Sequence, residues 1–416
     1  MPNKKTSKIT FIGGGGKIAG ATLFEILRKK SIENLEIVLY GRTLENIENN
    51  IRIANRTCSP EKHSNKIIAS TNLDEAVQNA DIVFYSATSG LQEYGKYKSI
   101  GVENSAHILY VAERIKVLSP EAWLLVSTNP TDIPLIAVNK MFGLSKLLGL
   151  CNAPLINKKI LAAFLNREEE EFQLYDIGVN HEVWFYEILL DGLSIYDLLR
   201  EQLPVNYNPA LINSEFSNSF PEWKLGFINN IEVLKHTDYL FSPVGSISRF
   251  KGLPVCEDEI IKIRRRPSKE DFLKFLHPEF TIEDILAVSR RSGAGIPLYI
   301  ADIIESIITD NMKEHSVQVL NKGTLPAYPD DVVLQMTCRI GSDTILKPQI
   351  GKLPDFIHTI LASRILQNHM LGRALAEQDL KMMQRSMLTY PERVTFKQVE
   401  EVLNKQLSVE PYIPLS

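Results

Sequence analysis

Four consecutive glycines, Gly13 to Gly16, are the first residues of this 416-residue sequence whose spacing could support chemistry. Gly14, Gly16 and Ala19 form a G-x-G-x-x-A pattern that follows an apolar run and opens a helical pattern. Glycines in this setting let the backbone approach a pyrophosphate, and the helix N-terminus favours its negative charge. We therefore predict a dinucleotide site formed by Gly13, Gly14, Gly15, Gly16, Lys17 and Ile18.

The second predicted strand, Glu36–Tyr40, ends without the acid that ordinarily bonds the adenosine ribose of NAD. Arg42 follows it instead, and a guanidinium can pair with the 2′-phosphate of NADP. Arg42 could equally stack on the adenine or lie in a loop while NAD binds. The sequence therefore predicts NAD as the cofactor, with NADP as an alternative.

Polar residues follow two later predicted strands, at 81–85 and from Trp123 onward. Ser86 follows the first, and Asn129 lies in the polar segment Ser127–Asp132 that closes the second. Ligands of a doubly wound sheet bind at the carboxyl ends of its strands, so we expect both residues at the cofactor site. Asn129 can present its amide to a nicotinamide or to a substrate hydroxyl, although such a segment can also simply end a strand.

Cys151 closes a further apparent strand, and His181 follows about one supersecondary unit later. A cysteine thiolate and an imidazole together suit a transition metal. Either residue alone is more often part of a core. Two protein ligands are too few for a closed structural site, but they suit an open catalytic site whose coordination is completed by substrate hydroxyls.

Apolar strands alternate with helical patterns through the first third of the chain, which predicts a parallel sheet covered on both faces. The fold class is therefore α/β, with a Rossmann-like doubly wound domain over 1–170. The rest, 171–416, reads as an α+β domain for substrate, metal and oligomerisation. There we predict helices and one antiparallel strand pair. The helices are placed at 188–200, 221–234, 282–287, 297–308 and 354–379, and the strands at 332–340 and 343–347.

Composition excludes several classes of protein. The 46 Lys+Arg and 50 Asp+Glu give a net charge of −4, which offers no basic excess for nucleic acid or an anionic membrane. No apolar run is long enough to span a membrane, and the N-terminal residues lack the apolar core of a signal peptide. The four cysteines are far apart and form no CxxC, so we expect a cytoplasmic protein.

Taken in order, these motifs resemble glycoside hydrolase family 4, the NAD- and metal-dependent glycosidases of the lactate/malate dehydrogenase superfamily. The similarity spans nearly the whole chain, and its most specific parts are the Cys-Asn-x-Pro and Asn-His segments and a late Pro-Asp-Asp-Val-Val. The matching segments are the glycine loop, 123–130, 149–154, 178–181, 236–241 and 321–333.

The resemblance implies an unusual glycosidase reaction in carbohydrate metabolism. NAD oxidises the sugar at C3, a tyrosine removes the C2 proton, the metal stabilises the enediolate, and the glycosidic oxygen leaves by elimination. Water then adds back, and the reduced cofactor restores C3. Carried over to this chain, Cys151 and His181 would hold a divalent ion such as manganese. Tyr239 would be the base, and Asn129 would contact nicotinamide or substrate. Asn152 lies where some members carry an aspartic acid. Members with asparagine at this position tend to act on β-glycosides, so the resemblance favours a β-glycoside here.

One loop departs from the family pattern. Members that act on 6-phosphosugars carry an arginine in the segment that corresponds to 85–94, whereas this sequence has none there and carries Glu93. Lys96 and Lys98 lie further along. Phosphate recognition favours arginine or lysine, so we expect a 6-phospho-glycosidase-like enzyme of altered sugar specificity. The family also implies a homodimer or homotetramer.

Two other functions remain open. A 2-hydroxy-acid dehydrogenase of the lactate/malate type would need a substrate-binding arginine and a histidine in a His-Gly setting, whereas His181 precedes Glu182. A non-catalytic nicotinamide-binding protein would bind the cofactor without metal and without turnover.

Overall fold

The structure is a computed structural model that describes residues 7–58, 63–88, 97–213, 221–243, 252–256, 259–260, 262, 271, 273–277, 279–291 and 295–389. Its strands join one sheet. They are β1 (Lys8–Ile12), β2 (Glu36–Tyr40), β3 (Lys66–Ser70), β4 (Ile82–Tyr85), β5 (Trp123–Val126), β6 (Leu147–Leu150), β7 (Phe172–Val179), β8 (Glu182–Leu190), β9 (Leu193–Ser194), β10 (Phe241–Pro243), β11 (Lys313–Leu320), β12 (Val333–Ile340) and β13 (Ile345–Leu346).

Helices cover the sheet. They are α1 (Lys17–Leu27), α2 (Leu44–Thr57), α3 (Leu73–Val77), α4 (Tyr97–Leu118), α5 (Asp132–Phe142), α6 (Ala153–Leu165), α7 (Tyr196–Asn206), α8 (Pro221–Thr237), α9 (Ile282–Arg291), α10 (Ile296–Thr309), α11 (Asp355–Glu377) and α12 (Leu380–Leu388). No helix within the described ranges is both long and apolar enough to cross a membrane.

The first half of the chain confirms the predicted Rossmann-like fold. Strands β3, β2, β1, β4, β5 and β6 lie side by side and pair in parallel. β4 and β5 are buried along their whole length, as expected for strands with helices on both faces. The sheet order reverses at β1, which lies between β2 and β4. The glycine loop leaves β1 at this point, where doubly wound sheets bind their ligands.

The second half extends the same sheet with antiparallel strands, in the order β6, β11, β12, β7, β8 and β10. The predicted strand at 332–340 is confirmed as β12, and it pairs with β13 as expected. Its principal partner, β11, was not predicted. The division into 1–170 and 171–416 stays a prediction, and strands from both parts join one sheet.

The predicted helix over 188–200 was wrong in its first half. Ile188 to Leu190 complete β8, and Leu190 pairs with Leu193 across the two-residue turn Asp191-Gly192. Both turn residues have positive φ, 51° and 79°, which an Asp-Gly pair adopts readily. Helix α7 therefore begins only at Tyr196.

The late 321–333 motif has a structural role in this fold. Asn321 is fully buried between β11 and β12, and its amide donates to the carbonyls of Leu325, Tyr328 and Pro329 at 2.9–3.1 Å. Its side-chain oxygen accepts the N–H of Leu325 at 2.7 Å. One side chain thus supplies partners that a buried loop backbone would otherwise lack.

Helix α11 packs closely on α5. A Cβ added at Gly372 would lie 2.6 Å from Cβ of Ile136, so only a glycine allows this approach. The contact brings the middle of α11 next to the beginning of α5, which follows β5 at the carboxyl edge of the parallel sheet.

Candidate cofactor and metal site

The glycine loop approaches two strands so closely that side chains are excluded from it. A Cβ on Gly13 would lie 2.8 Å from the backbone nitrogen of Ala87, and one on Gly14 would lie 2.7 Å from Cβ of Leu39. Asn50 of α2 supports the loop from below, because its amide donates to the carbonyls of Gly14 at 2.8 Å and Gly16 at 3.1 Å. The sequence analysis missed Asn50, which lies outside the motif.

The start of α1 fits a dinucleotide pyrophosphate. Gly16 is the N-cap residue, so the residue that caps the first turn, which contains Lys17 and Ile18, adds no side chain of its own. Ser86 lies next to this loop, since its N–H donates to the carbonyl of Ile12 at 2.9 Å. The structure therefore brings together the residues that the sequence assigned to the pyrophosphate end.

Arg42 lies at the outer end of the same site. Gly13 and Gly14 both donate their N–H to the carbonyl of Tyr40, at 3.0 and 2.7 Å, so the chain leaves β2 directly beside the loop. Arg42 is exposed there. Its charge reaches His107 of α4, whose pKa is lowered by burial and by the positive charge of Arg42.

Asn129 lies at the carboxyl end of β5, facing the same loops. The hydroxyl of the preceding Thr128 donates to the carbonyl of Ala87 at 2.7 Å, and Asn104 donates its side-chain amide to the carbonyl of Asn129 at 3.0 Å. Asn129 is thus fixed by its backbone near the Ser86–Ala87 segment. This position suits contact with the nicotinamide end of a cofactor.

Cys151 and His181 come together although they leave different strands. The thiol of Cys151 accepts hydrogen bonds from the backbone N–H of Ala153 and His181 and from the side chain of Gln335. Burial raises the pKa of the Cys151 thiol to about 11, and these three hydrogen bonds oppose that rise. The predicted pair is therefore adjacent in the folded chain.

The sheet geometry explains how the pair forms. β6 meets β11 only near its end, where Gly149 pairs with Gln318, and β12 meets β7 where Gln335 pairs with Gly178. Gln318 and Gln335 are themselves paired across β11 and β12. Cys151 comes two residues after Gly149, and His181 comes three residues after Gly178, so both follow these pairing positions closely.

The turn that carries His181 is tightly constrained. Asn180 and His181 link β7 to β8, and His181 has a φ of 63°, which non-glycine residues rarely adopt. A Cβ on Gly178 would lie 2.1 Å from the carbonyl oxygen of Glu182, so glycine is required just before the turn. Residues held in such conformations cluster at functional sites.

A buried carboxylate holds this turn. Asp132, at the start of α5, accepts the backbone N–H of Asn180 at 3.2 Å and the side-chain amide of Asn368 at 2.7 Å. Burial raises the pKa of Asp132, whereas the positive charge of Arg364 and the hydrogen bonds from Asn180 and Ile133 lower it.

Arg364 of α11 links this carboxylate to the next strand. Its Nε lies 3.7 Å from Oε2 of Glu182, the first residue of β8, and both side chains are almost fully buried. One guanidinium thus faces two acids, Asp132 and Glu182. In the sequence, Asp132 is only the last residue of the polar segment that follows β5, and no motif includes Arg364.

A chain of buried amides connects the two ends of the site. The hydroxyl of Thr131 donates to Gln318, Gln318 donates to Gln335 at 3.3 Å, and Gln335 donates to the carbonyl of Cys151 at 3.2 Å. Gln335 and Gln318 are both fully buried. A glutamine within the apolar run of β12 is the sequence signal that could have identified Gln335.

Tyr239 is not brought to this pair. It precedes β10, in which Phe241 pairs with Trp184, so Tyr239 lies opposite Tyr186, well along β8 from His181. Its ring packs on Tyr196, with ring centroids 6.0 Å apart. Asn152, by contrast, immediately follows Cys151 as the N-cap residue of α6 and is partly exposed.

The metal donors fit an open site. Within the described ranges, no group of three or more His, Cys, Asp or Glu side chains is arranged to hold a metal ion. The backbone N–H of His181 nevertheless lies beside the Cys151 thiol, so an ion held by these two residues would take its remaining ligands from substrate or water. Glu93 and Lys96 of the departing loop lie outside the described residues, and the side chain of Lys98 does as well.

Sequence comparison decides the family. The profile of the family 4 glycosyl hydrolases matches residues 8–105 and 99–167, and that of the family 4 glycosyl hydrolase C-terminal domain matches residues 177–392. The chain belongs to glycosyl hydrolase family 4. The resemblance inferred from the motifs is therefore confirmed, and the family 4 match extends over both halves of the chain.

Relatives of this family 4 chain are distant. The 6-phospho-beta-glucosidase of Escherichia coli strain K12 is 24% identical over 269 residues, and the match covers 62% of this chain and 59% of that protein. The match thus spans less than two thirds of that relative's length. An alpha-galacturonidase of Thermoanaerobacter italicus is 19% identical over 96% of this chain and 95% of its own.

Solved structures share the fold over almost the whole chain. The 6-phospho-beta glucosidase of Thermotoga maritima, solved with manganese, NAD+ and glucose-6-phosphate, aligns with a TM-score of 0.75 and 19% identity. The alignment covers 96% of this chain and 98% of that one. At this identity the likeness establishes the fold.

Proposed function

We propose that this family 4 chain is a glycosidase that uses a bound nicotinamide dinucleotide and a divalent metal ion, with manganese as the first candidate. The observation that carries the proposal is the register of β6, β11, β12 and β7, which brings Cys151 and His181 to one edge of the sheet. Two metal-binding side chains at the edge of a dinucleotide-binding sheet are what an oxidation and elimination reaction on a sugar needs. The structure of a 6-phospho-beta glucosidase from Thermotoga maritima that contains manganese and NAD+ supports the choice of these two cofactors.

Each group has a distinct task in this proposal. A bound nicotinamide would supply hydride transfer at C3 of the sugar, and a bound metal would polarise the sugar oxygens and make the C2 proton more acidic. Residues Gly13 to Gly16 would hold the pyrophosphate, and Asn129 would orient the sugar against the nicotinamide. Cys151 and His181 would hold the metal. Asn152 lies beside them, where its amide can bond the sugar or the leaving group but supplies no titratable proton.

The family resemblance implies that Tyr239 is the base, but the structure does not place Tyr239 beside the candidate metal ligands. Proton removal requires a base beside C2 of the sugar, and the family resemblance makes that base a tyrosine. Tyr239 packs on Tyr196 and lies opposite Tyr186, away from His181. The geometry therefore argues against Tyr239 as the base, and a Tyr239→Phe variant is expected to keep most of its activity.

The substrate proposed is a small-molecule glycoside, with a charged sugar as the first choice. Curated relatives include enzymes named for 6-phosphoglucosides and for galacturonides, both of which carry a negative charge on C6. Asn152 favours a β-glycoside. We propose a homo-oligomer as well, on the family resemblance alone.

A hydroxy-acid dehydrogenase is less well supported. That reaction needs an arginine free to bind a substrate carboxylate. Arg364, which lies next to the His181 turn, already faces Asp132 and Glu182.

A glycosidase screen tests the proposal. Aryl glycosides of plain, 6-phosphorylated and uronic sugars, in both anomers, are incubated with manganese, a reductant and NAD or NADP, and then with each component omitted. We expect cleavage of one charged sugar that disappears without metal or without cofactor. Cleavage that survives both omissions, or cofactor reduction by a hydroxy acid without glycoside cleavage, would contradict the proposal.

A further inference from the structure

The adenosine end of the dinucleotide site differs from what an NAD-binding Rossmann fold requires. Such folds place a carboxylate at the end of β2, where it bonds both hydroxyls of the adenosine ribose. Here three residues, Gly41, Arg42 and Thr43, separate β2 from α2, and none of them is an acid. The ribose-binding group of an NAD enzyme is therefore missing from its usual place.

Arg42 follows two residues that lie against the glycine loop. The carbonyl of Tyr40 accepts the N–H groups of Gly13 and Gly14, and a Cβ on Gly41 would lie 3.7 Å from the backbone nitrogen of Gly15. The backbone next to Arg42 thus touches the glycine loop. A ribose attached to a pyrophosphate in that loop meets Arg42 next.

The guanidinium of Arg42 is available for a ligand. It is exposed, and it makes no hydrogen bond or ion pair with any described residue. Its charge acts on His107, whose ring accepts or donates a 2.6 Å hydrogen bond with the hydroxyl of Tyr85. An uncompensated arginine beside a sugar site suits a phosphate, because its planar fork can donate two hydrogen bonds to one phosphate.

The nearest acid on α2 faces away from the loop. Asn46 and Asn50 lie one turn apart on the side of α2 that contacts the glycines, since Asn46 lies against Gly15 and Asn50 bonds Gly14. Glu45 precedes Asn46 by one residue and is therefore about 100° around the helix from that side. Glu45 is also exposed, so it cannot replace the missing ribose carboxylate.

We infer that this chain carries a subsite for the 2′-phosphate of NADP, formed by Arg42 at the end of β2, and that it binds NADP in preference to NAD. The inference rests on the proposed use of a nicotinamide dinucleotide and specifies which one. Thr43, the N-cap of α2, makes no side-chain cap bond, so its hydroxyl is a second donor next to Arg42. A phosphomonoester carries a charge of about −1.5 to −2 at neutral pH, which favours this cationic position.

Calorimetric titration tests the subsite without any glycoside. NADP⁺ and NAD⁺ are titrated separately into the wild-type chain, into Arg42→Asp and into Glu45→Gln, a charge-changing control at the start of α2 that does not face the glycine loop. We expect wild type to bind NADP⁺ at least about tenfold more tightly than NAD⁺, which is the scale of a charge-assisted hydrogen bond. Arg42→Asp should reverse that order, and Glu45→Gln should leave the ratio within about twofold.

Two fragments of the cofactors test the adenosine end of the site by itself. Adenosine 2′,5′-bisphosphate should bind more tightly than ADP to the wild type, and Arg42→Asp should remove the difference. Tighter binding of NAD⁺ than NADP⁺ by the wild type would overturn the inference while leaving the proposed function intact. Equal losses of both cofactors in Arg42→Ala would mean that Arg42 stacks on adenine, which also overturns it. Binding of neither cofactor would overturn both the inference and the proposed function.

Discussion

The glycine loop and the Cys151–His181 pair belong to one sheet, but different parts of the sequence build them. The loop is made by residues within one βα unit, and its contacts to β2 and to Asn50 come from the next unit. The metal pair depends on partners that are far apart in the sequence, including Asp132, Asn368 and Gln335. A local motif therefore predicts the first region, whereas only the folded chain assembles the second.

This contrast predicts that the two regions can be disabled separately, and the largest effect is expected at the metal. Cys151→Ser and His181→Ala should each lower turnover about thousandfold, because a bound metal contributes several kcal/mol to the stabilisation of the transition state. Cofactor affinity should change less than about twofold. Steady-state kinetics and calorimetric titration measure the two effects.

Cys338→Ser is the matched control for Cys151→Ser, since Cys338 is also a buried thiol but lies within β12. It should keep metal-dependent turnover. Wild-type turnover in either ligand variant would show that the metal assignment is wrong.

For the glycine loop we expect the opposite result, in which a substitution weakens cofactor binding and leaves metal binding unchanged. Gly14→Ala places a Cβ 2.7 Å from Leu39, so the loop or β2 must shift and dinucleotide affinity should fall about hundredfold. Manganese affinity, measured by calorimetry, should remain. Gly351→Ala is the control, because an added Cβ there meets no atom within 4 Å. Equal losses of metal and cofactor binding in Gly14→Ala would mean that the two regions are not independent.

A smaller effect is expected from the carboxylate behind the His181 turn. Asp132→Asn replaces an acceptor of the Asn180 N–H, and loss of such outer support typically weakens metal binding about tenfold or more. Asp176→Asn is the control, since Asp176 is equally buried but bonds Ser316 and Thr337. If both variants weaken manganese binding equally while remaining folded by circular dichroism, Asp132 has no specific part in positioning the turn.

The smallest effect at neutral pH is expected for His315 of β11, which affects the stability of the sheet that both regions share. Burial lowers the pKa of His315 to about 4, the charge of Lys313 lowers it further, and Glu305 opposes this. His315 is therefore neutral in the folded chain while the unfolded chain binds its proton below about pH 6.5. Its contribution to stability is complete above that pH and is lost as the pH falls towards 4, by up to about 3 kcal/mol.

His315→Asn should flatten this acid dependence in denaturant unfolding curves between pH 6.5 and 4, and should leave both binding reactions unchanged at pH 7. His236→Asn, at an exposed position, is the control and should leave the slope intact. A slope equally steep in His315→Asn would assign the acid sensitivity to other groups.

The same contrast between local and long-range contacts explains which features of the fold and the site could be predicted from the sequence. The parallel strands, the glycine loop and the proximity of Cys151 to His181 follow from apolar runs and a family motif. The β8–β9 hairpin was missed because its Asp191-Gly192 turn lies inside an apolar stretch that also fits a helix. Asn50, Arg364 and Gln335 were missed because their roles arise from contacts between distant segments, which no local spacing records.

The strand order has a consequence for the timing of assembly during synthesis. The two candidate metal ligands directly follow β6 and β7, yet β11 and β12, made from residues 313–340, lie between those two strands. When His181 has just emerged from the ribosome, the nascent chain therefore contains both ligands but lacks the strands that set their spacing. The residues of this strand pair lie about 130–160 positions after His181, so at about 5–20 residues per second they arrive roughly 7–30 seconds later. The spacing of the two candidate ligands is therefore set only after the late hairpin has been inserted.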